Sequence, residues 1–398
     1  MNPELKEREE RYLMQTYRRA EITFVRGEGA LLFDDEGREY LDLLAGISVA
    51  SVGHCHPDVV AAVRDQAGEL MHVSNLFYTR PMVDLAERLS ASSLGGRVFF
   101  CNSGTEANEC AIKIARKAAH TRGVVNPEII SFEGDFHGRT YGSLSATPGL
   151  AKDEKLGPML PGFRSVPFDD GAALEAATGP ETAAILIEVI QGEAGIFVLS
   201  DETVRLAREI CDRTGALLII DEIQTGIGRT GSLWAYEQGP VRPDVITSAK
   251  ALGGGAAIGA CITTEAAGEI LAPGDHGSTF AAGPVAASAA LAVLDLVDQP
   301  GMLRRIRSLG TRITEELLAM DGVEAVRGRG LMLGVALADG IDSAALNSEL
   351  LSRGLVANAP RPDSLRLLPP LVLTDEQAGQ ALEIISGSLS DALSGAGS

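Results

Sequence analysis

Lysine is scarce in this chain. Lys6, Lys113, Lys117, Lys152, Lys155 and Lys250 are all there are. Lys and Arg together number 34 against 54 Asp and Glu, a formal net charge of −20. That deficit argues against non-specific nucleic-acid binding and against an anionic membrane surface. It also means that any anionic substrate must be met by cations gathered locally. Cysteine is sparse too: the five, Cys55, Cys101, Cys110, Cys211 and Cys261, show no CxxC spacing. They are too few for a disulfide scaffold, give no metal-site pattern, and read as reduced core residues of a cytoplasmic protein. A long apolar run is also missing. Residues 281–297, AAGPVAASAALAVLDLV, are broken by Gly283, Pro284 and Asp295. They read as a buried Ala-rich helix, since a membrane span needs ~20 apolar residues. The N-terminal stretch MNPELKEREERYLMQTYRRA is charged throughout and holds no signal-peptide core. Low-complexity linkers and internal repeats are absent, and only the tail SGAGS reads as disordered.

What is present suffices for two domains: 398 residues, 45% of them hydrophobic. ITFVRGEGALLFDDEGREYLDLL alternates, with Asp35-Glu36-Gly37 as a turn between two short strands. A helix begins at the proline of HPDVVAAVRDQAGEL. The middle repeats one theme: a short apolar run, a polar loop, then a helix. Examples are RVFFCNSGTEANECAIKIARKAA, AAILIEVIQGEAG, GALLIIDEIQTGIG and PDVITSAKALGGG. This predicts an α/β fold with a mostly parallel central sheet over residues 55–295. After residue 300 the pattern changes to a helix, MLRRIRSLGTRITEELLAM, and strand candidates GRGLMLGVAL and LRLLPPLVLT. Residues 1–54 and 296–398 are expected to form a smaller, discontinuous α+β domain.

Lys250 stands apart from the other lysines. It follows an apolar strand and precedes three glycines, in TSAKALGGG. A lysine desolvated at a strand end has a lowered pKa and can act as a neutral amine nucleophile forming a Schiff base. The plain alternative is a lysine snorkelling out to water. Asp221 ends another apolar run, LLIID. Ligands of open α/β sheets bind outside the carboxyl ends of strands. An acid there could hold a metal or the protonated ring nitrogen of pyridoxal phosphate, or simply cap the next element. In CNSGTEANE a strand runs into a Ser103-Gly104-Thr105 turn and a helix N-terminus, a seat for phosphate. Ser103 with Glu106 equally fits a capping box. In FHGRT, Phe136 and His137 could stack on a flat ring, and Arg139 could bind a carboxylate bidentately. Glu188 and Glu193 flank a strand end in EVIQGEAGI, and Ser278 and Thr279 in HGSTF offer hydroxyls to phosphate or carboxylate. Arg366, embedded in LRLLPPL, needs a carboxylate that nothing local supplies.

GISVASVGHCHP, HVSNLFYTRP, CNSGTEANE, FHGRTYGSLSATPG, IQGEAG, DEIQTGIGRTG, SAKALGGG and HGSTF follow one another from about Gly27 to Thr374. In that order they resemble the class III (omega) aminotransferases of the fold-type I pyridoxal-phosphate family, and most closely the acetylornithine aminotransferase group. The resemblance implies a fold-type I transferase with pyridoxal 5'-phosphate as cofactor. Lys250 would bind the cofactor covalently and later act as the proton-shuttling base. Asp221 would pair with the ring nitrogen and Gln224 would reach the ring's 3′ oxygen. Ile223 and Phe136 would cover its two faces. Gly104 and Thr105 would hold the phosphate, completed by Thr279 of the neighbouring subunit of a homodimer, with Ser278 beside it near the substrate. Arg139 would take the α-carboxylate of the donor. Glu193 would pair with Arg366 while a distal amine is bound, then swing away when 2-oxoglutarate arrives.

The implied reaction moves the distal amine of N2-acetyl-L-ornithine to 2-oxoglutarate by a ping-pong mechanism, a step of arginine biosynthesis. The products would be N-acetyl-L-glutamate 5-semialdehyde and glutamate. Succinylornithine, a carrier-linked lysine, ornithine or 4-aminobutyrate are alternative donors, and a non-catalytic homologue that binds the cofactor is another reading. Two features depart from the family pattern: Val189, where proline is usual after the glutamate, and the AAGP loop at 281–284, where GGNP is usual. Ile47 stands where ornithine aminotransferases resemble one another in having tyrosine. An apolar residue at 47 favours an N-acylated donor or 4-aminobutyrate over free ornithine.

Overall fold

The computed structural model describes residues 3–151 and 153–396; Lys152 and the last two residues of the tail lie outside the described residues. Seven apolar runs of four to six residues become the strands of one sheet. In spatial order these are Val98–Cys101, Gly259–Thr263, Val245–Ser248, Leu217–Asp221, Thr182–Ile187, Glu128–Phe132 and Phe163–Val166. Gly259–Thr263 runs antiparallel to both of its neighbours, and the other six strands share one direction. The mostly parallel sheet expected from the sequence is therefore present, with one strand reversed.

Strand periodicity divides the buried side chains between two faces. Ala184, Leu186 and Ile219 join Ala111, Ile114 and Ala115 of helix Gly104–Thr121. Ile185, Ile187, Leu218 and Ile220 face the larger cluster on the other side, which includes Ala290 and Val293. With both faces covered, the strands read as continuous apolar runs. Each fully buried Ile or Leu contributes about 1.5–3 kcal/mol relative to exposure. The Ala-rich segment forms helix Pro284–Val297 with a buried face, and no single helix among the described residues is long and apolar enough to cross a membrane.

The two chain ends meet. Strands Phe24–Glu28, Leu31–Asp34 and Glu39–Asp42 form a meander, and Leu355–Val356 adds in parallel to Glu39–Asp42. Val323–Arg329, Met332–Leu337, Ser364–Leu367 and Asn358–Arg361 make a separate antiparallel sheet. The last helix, Asp375–Ala396, runs through most of the SGAGS segment expected to be irregular. Extending an existing helix by one turn is far easier than nucleating one, and Ala381, Leu382, Ile385 and Leu389 bury its preceding turns.

Just after the N-terminal meander the backbone turns the unusual way. Ala45, Gly46, Ile47 and Ser48 have φ of 50°, 61°, 62° and 67°. Left-handed backbone costs a non-glycine residue roughly 1–2 kcal/mol. Arg229, buried, holds this turn in place. Its Nε and Nη2 donate to Ser48 Oγ and Ser51 Oγ, each at 2.9 Å, and Nη1 donates to the carbonyls of Leu331 and Pro369.

Candidate active site

Five segments finish at the carboxyl edge of the central sheet. Ser103 and Gly104 follow strand Val98–Cys101, Asp135 to Arg139 follow Glu128–Phe132, and Glu188 follows Thr182–Ile187. Asp221 ends its own strand, and Lys250 follows Val245–Ser248. All of these except Asp135 line one cavity of about 400 Å³, together with Ile223 and Gln224. Residues far apart in sequence meet here because parallel strands bring all their C-terminal loops to one edge.

Asp221 lies almost wholly buried and is saturated with donors. Oδ2 accepts from Asn108 Nδ2 at 2.8 Å and lies 2.9 Å from His137 Nδ1; Oδ1 accepts from the Ile223 amide at 3.0 Å. Such a carboxylate is fixed in direction and can face a cationic partner without reorganising. His137 therefore does not offer a ring face for stacking, as the FHGRT motif suggested. It is 1% exposed and packs behind Asp221, because the Asn108 amide holds its carbonyl at 2.7 Å and Thr147 Oγ1 accepts from its amide at 3.0 Å. Phe136 lies less deeply buried beside it, with the Arg139 guanidinium 5.5 Å from its ring centroid.

Lys250 is partly buried and opens a short 3₁₀ turn with φ of 42°, a strained conformation of the kind that collects at functional sites. Burial holds its amine below the ordinary lysine value, against the pull of Glu193 and Glu188. A larger neutral fraction follows, and with it nucleophilicity. The Ser103-Gly104-Thr105 turn serves both readings of the sequence. Ser103 caps helix Gly104–Thr121 by accepting from the Glu106 amide, while the turn's own donors border the cavity. A Cβ on Gly104 would lie 2.6 Å from Ile223 Cδ1, so only glycine lets Ile223 approach. Thr105 Oγ1 accepts from the amides of Arg139 and Thr140 at 3.1 and 3.2 Å, tying the two loops together.

The carboxylate that Arg366 lacks locally arrives from 173 residues away: Arg366 Nη1 lies 2.6 Å from Glu193 Oε1. Arg366 also donates to the Gly192 carbonyl and to Asn358 Oδ1. Burial alone would raise the Glu193 carboxyl, but the charge and hydrogen bond of Arg366 outweigh it and hold it below the ordinary value. Gln224 links this pair to the cavity, with Nε2 3.5 Å from Glu193 Oε1 and a buried Oε1 left without a protein partner among the described residues.

Ser278 and Thr279 lie elsewhere in the same chain. They line a second pocket of about 610 Å³ with Ser74, Asn75 and Ala281 of the AAGP loop. Asn102 spans the two, bordering the Lys250 cavity and donating to Ser278 Oγ at 3.1 Å. Ala282 in that loop has φ of 46°, and Ile47 borders neither pocket, whereas Val49 borders the first.

Sequence reasoning missed Asn108 and Asp135, and it gave Glu188 no task. Asn108 is fully buried and joins Thr247, His137 and Asp221. Its signal was an amide on the apolar face of an otherwise Ala- and Ile-rich helix. Glu188 Oε2 accepts from the Phe136 amide at 2.9 Å and Oε1 from the Gly192 amide at 3.4 Å, so it spans the loops that carry Phe136 and Glu193.

The sequence profile described as Aminotransferase class-III matches residues 12–389. The chain belongs to the class III aminotransferases. As a member of that family it is a transaminase with pyridoxal 5'-phosphate as cofactor. An acetylornithine aminotransferase of Caldanaerobacter subterraneus subsp. tengcongensis is 45% identical, over 96% of this chain and 98% of that one. The solved N-acetylornithine aminotransferase of Stenotrophomonas maltophilia is 36% identical with a TM-score of 0.85, covering 98% and 99% of the two chains. A solved ornithine aminotransferase of Toxoplasma gondii is 33% identical with a TM-score of 0.94, covering 99% and 95%. The cavity of this class III aminotransferase suits the cofactor on its own evidence. A buried, donor-saturated carboxylate, an amine held below its usual pKa, an unpartnered Gln224 Oε1 and a helix N-terminus border one space.

Proposed function

We propose that this chain transfers the distal amine of N2-acetyl-L-ornithine to 2-oxoglutarate, giving N-acetyl-L-glutamate 5-semialdehyde and L-glutamate, a step of arginine synthesis. The observation that carries this reading is the Glu193–Arg366 pair beside Lys250. A single site must take a distal amine in one half-reaction and an α-keto dicarboxylate in the next. An arginine whose charge is covered by a movable, partly exposed carboxylate meets that need. The relatives named acetylornithine aminotransferase support the donor.

Bound pyridoxal phosphate supplies an electron sink for the bond broken at the amine-bearing carbon. On this reading the chain's own residues would act as follows. Lys250 Nζ would hold the cofactor's aldehyde carbon and would serve as the base at the amine-bearing carbon. Asp221 would pair with the ring nitrogen. Gln224 would reach the ring's 3′ oxygen, and Ile223 and Phe136 would cover the faces. Ser103, Gly104 and Thr105 would receive the phosphate. Arg139, exposed at the rim, binds the donor's carboxylate, and Arg366 binds that of 2-oxoglutarate. These cations answer the repulsion set up by the chain's net charge of −20.

In a homodimer, Ser278 and Thr279 would reach the phosphate of the other copy. The segments that flank the second pocket's residues in sequence carry exposed apolar side chains: Met71, Leu76, Phe77, Tyr78 and Phe280, Tyr78 at 94%. A patch of this kind is suited to burial against a partner.

A donor panel with 2-oxoglutarate, followed at the visible band of the lysine-bound cofactor, tests the assignment. N2-acetylornithine is expected to exceed ornithine and 4-aminobutyrate in kcat/KM by at least ~10-fold, the scale on which a pocket separates near analogues. Faster turnover of ornithine or 4-aminobutyrate would replace the donor named here. Glu193→Ala leaves Arg366 permanently uncovered. Its acetylornithine half-reaction should slow by about tenfold, the worth of one charge-assisted hydrogen bond, while the 2-oxoglutarate half-reaction does not slow. Unchanged rates in both half-reactions would remove Glu193 from the switch.

A further inference from the structure

His137 sits between two buried carboxylates. Its Nδ1 is 2.9 Å from Asp221 Oδ2 on one side, and its Nε2 is 3.6 Å from Asp135 Oδ2 on the other. Asp135 is 2% exposed and equally fixed, its Oδ1 accepting from Gln191 Nε2 and its Oδ2 from the Phe132 amide, each at 2.9 Å. The main chain of His137 is clamped by Asn108 and Thr147, and its ring is fully buried between the two acids.

A neutral imidazole carries a proton on one nitrogen only. With the proton on Nδ1, the Nε2 lone pair confronts the Asp135 carboxylate in a dry pocket. With the proton on Nε2, two acceptors face each other 2.9 Å apart at Asp221. Each tautomer leaves one uncompensated contact where burial makes such contacts expensive. Protonation of both nitrogens replaces both conflicts by a hydrogen bond to Asp221 and a charge pairing with Asp135 at 3.6 Å, a contact too long for a hydrogen bond, so that Nε2 keeps no hydrogen-bond partner among the described residues.

We propose that His137 is held as an imidazolium between Asp135 and Asp221, and that Asp135 is a positioning residue acting on Asp221 through that ring. Burial by itself favours neutral imidazole. The charges of Asp135 and Asp221 and the hydrogen bond with Asp221 overcome it and raise His137 to about 10. Glu188, another acid near the ring, is pushed up to about 8 by burial and then by repulsion from Asp135 and Asp221. The trio of Asp135, His137 and Asp221 then carries a net charge of −1. That is one charge, presented on Asp221, to match one cationic ring nitrogen. The match rests on Asp221 being the ring-nitrogen partner; the protonation of His137 does not.

Nitrogen NMR of histidine-labelled protein tests this, with and without pyridoxal phosphate, at about pH 8, where an ordinary histidine is neutral. The chain has six histidines, and His137→Gln assigns the signal. Both ring nitrogens of His137 are expected in the protonated range. In Asp135→Asn the Nε2 signal should move to the unprotonated range, and the pH midpoint of the visible band of the loaded enzyme should shift with it. A wild-type ring with one unprotonated nitrogen overturns the proposal whatever the variant does. An Asp135→Asn protein with both signals and the midpoint unmoved removes Asp135 from the role. A loaded protein with no visible band at all would instead contradict the cofactor site, leaving the result without cofactor to stand.

Discussion

Lys250→Ala is expected to lose the visible band of bound pyridoxal phosphate and to lower turnover by about 10⁴-fold or more, as when nucleophile and base vanish together. No other described lysine can substitute. Lys6 and Lys117 are paired with Glu21 and Asp275, Lys113 contacts His276, and Lys155 is exposed on a distant loop. Among the described residues Lys250 is the only lysine bordering the cavity. Alanine keeps a Cβ and meets the same φ of 42° as lysine, so the backbone there is no more strained than before and the protein should fold as before. The loss should appear in kcat even with cofactor in excess. A variant that keeps the band and full turnover would overturn the central assignment.

The second large effect is expected from Asp221→Asn. The substitution keeps the shape of the side chain and the pairing of strand Leu217–Asp221 with both neighbours. It removes the anion. It also creates a donor conflict, because one carboxylate oxygen receives the Ile223 amide and the other receives Asn108 and faces His137. Either orientation of the new amide sets its NH₂ against an N–H. Activity at saturating cofactor should fall by about 10²–10³-fold, the scale seen when one preorganised electrostatic partner of a transition state is removed. Circular dichroism should remain unchanged. A loss of only a few fold would mean that the ring nitrogen finds its partner elsewhere.

Much of the central sheet was legible in the chain, since LLIID, TAAILI and VITS are short, apolar and bounded by turn residues. Once strands are read, the carboxyl-edge rule places Asp221 and Lys250 near each other without further information. The Glu193–Arg366 ion pair, by contrast, joins residues 173 apart in sequence, and only the family resemblance pointed to it. Purely local reading misjudged His137. Its neighbours in FHGRT suggest an aromatic platform, but its position is decided by Asn108 and Asp221, 29 and 84 residues away in sequence. Asn108 itself was hidden because period alone marks a core position without saying whether an amide there has partners. Ser278 and Thr279 were assigned to the phosphate from resemblance, whereas within this chain they line the second pocket.

The left-handed turn at 45–48 bears on how the enzyme comes to exist. Arg229 fastens it through contacts that close loops of 181, 178, 102 and 140 residues. Each such closure must be met in entropy before it returns any stability, and topologies rich in them form slowly. A nascent chain released before Pro369 has emerged lacks one of the four acceptors of Arg229, and nothing completes the clasp on the strained turn. The end of the cavity marked by Val49 is therefore a late product of synthesis. It matures only when the C-terminal strands have docked beside the first ones, so that this wall of the cavity waits on the last quarter of the chain.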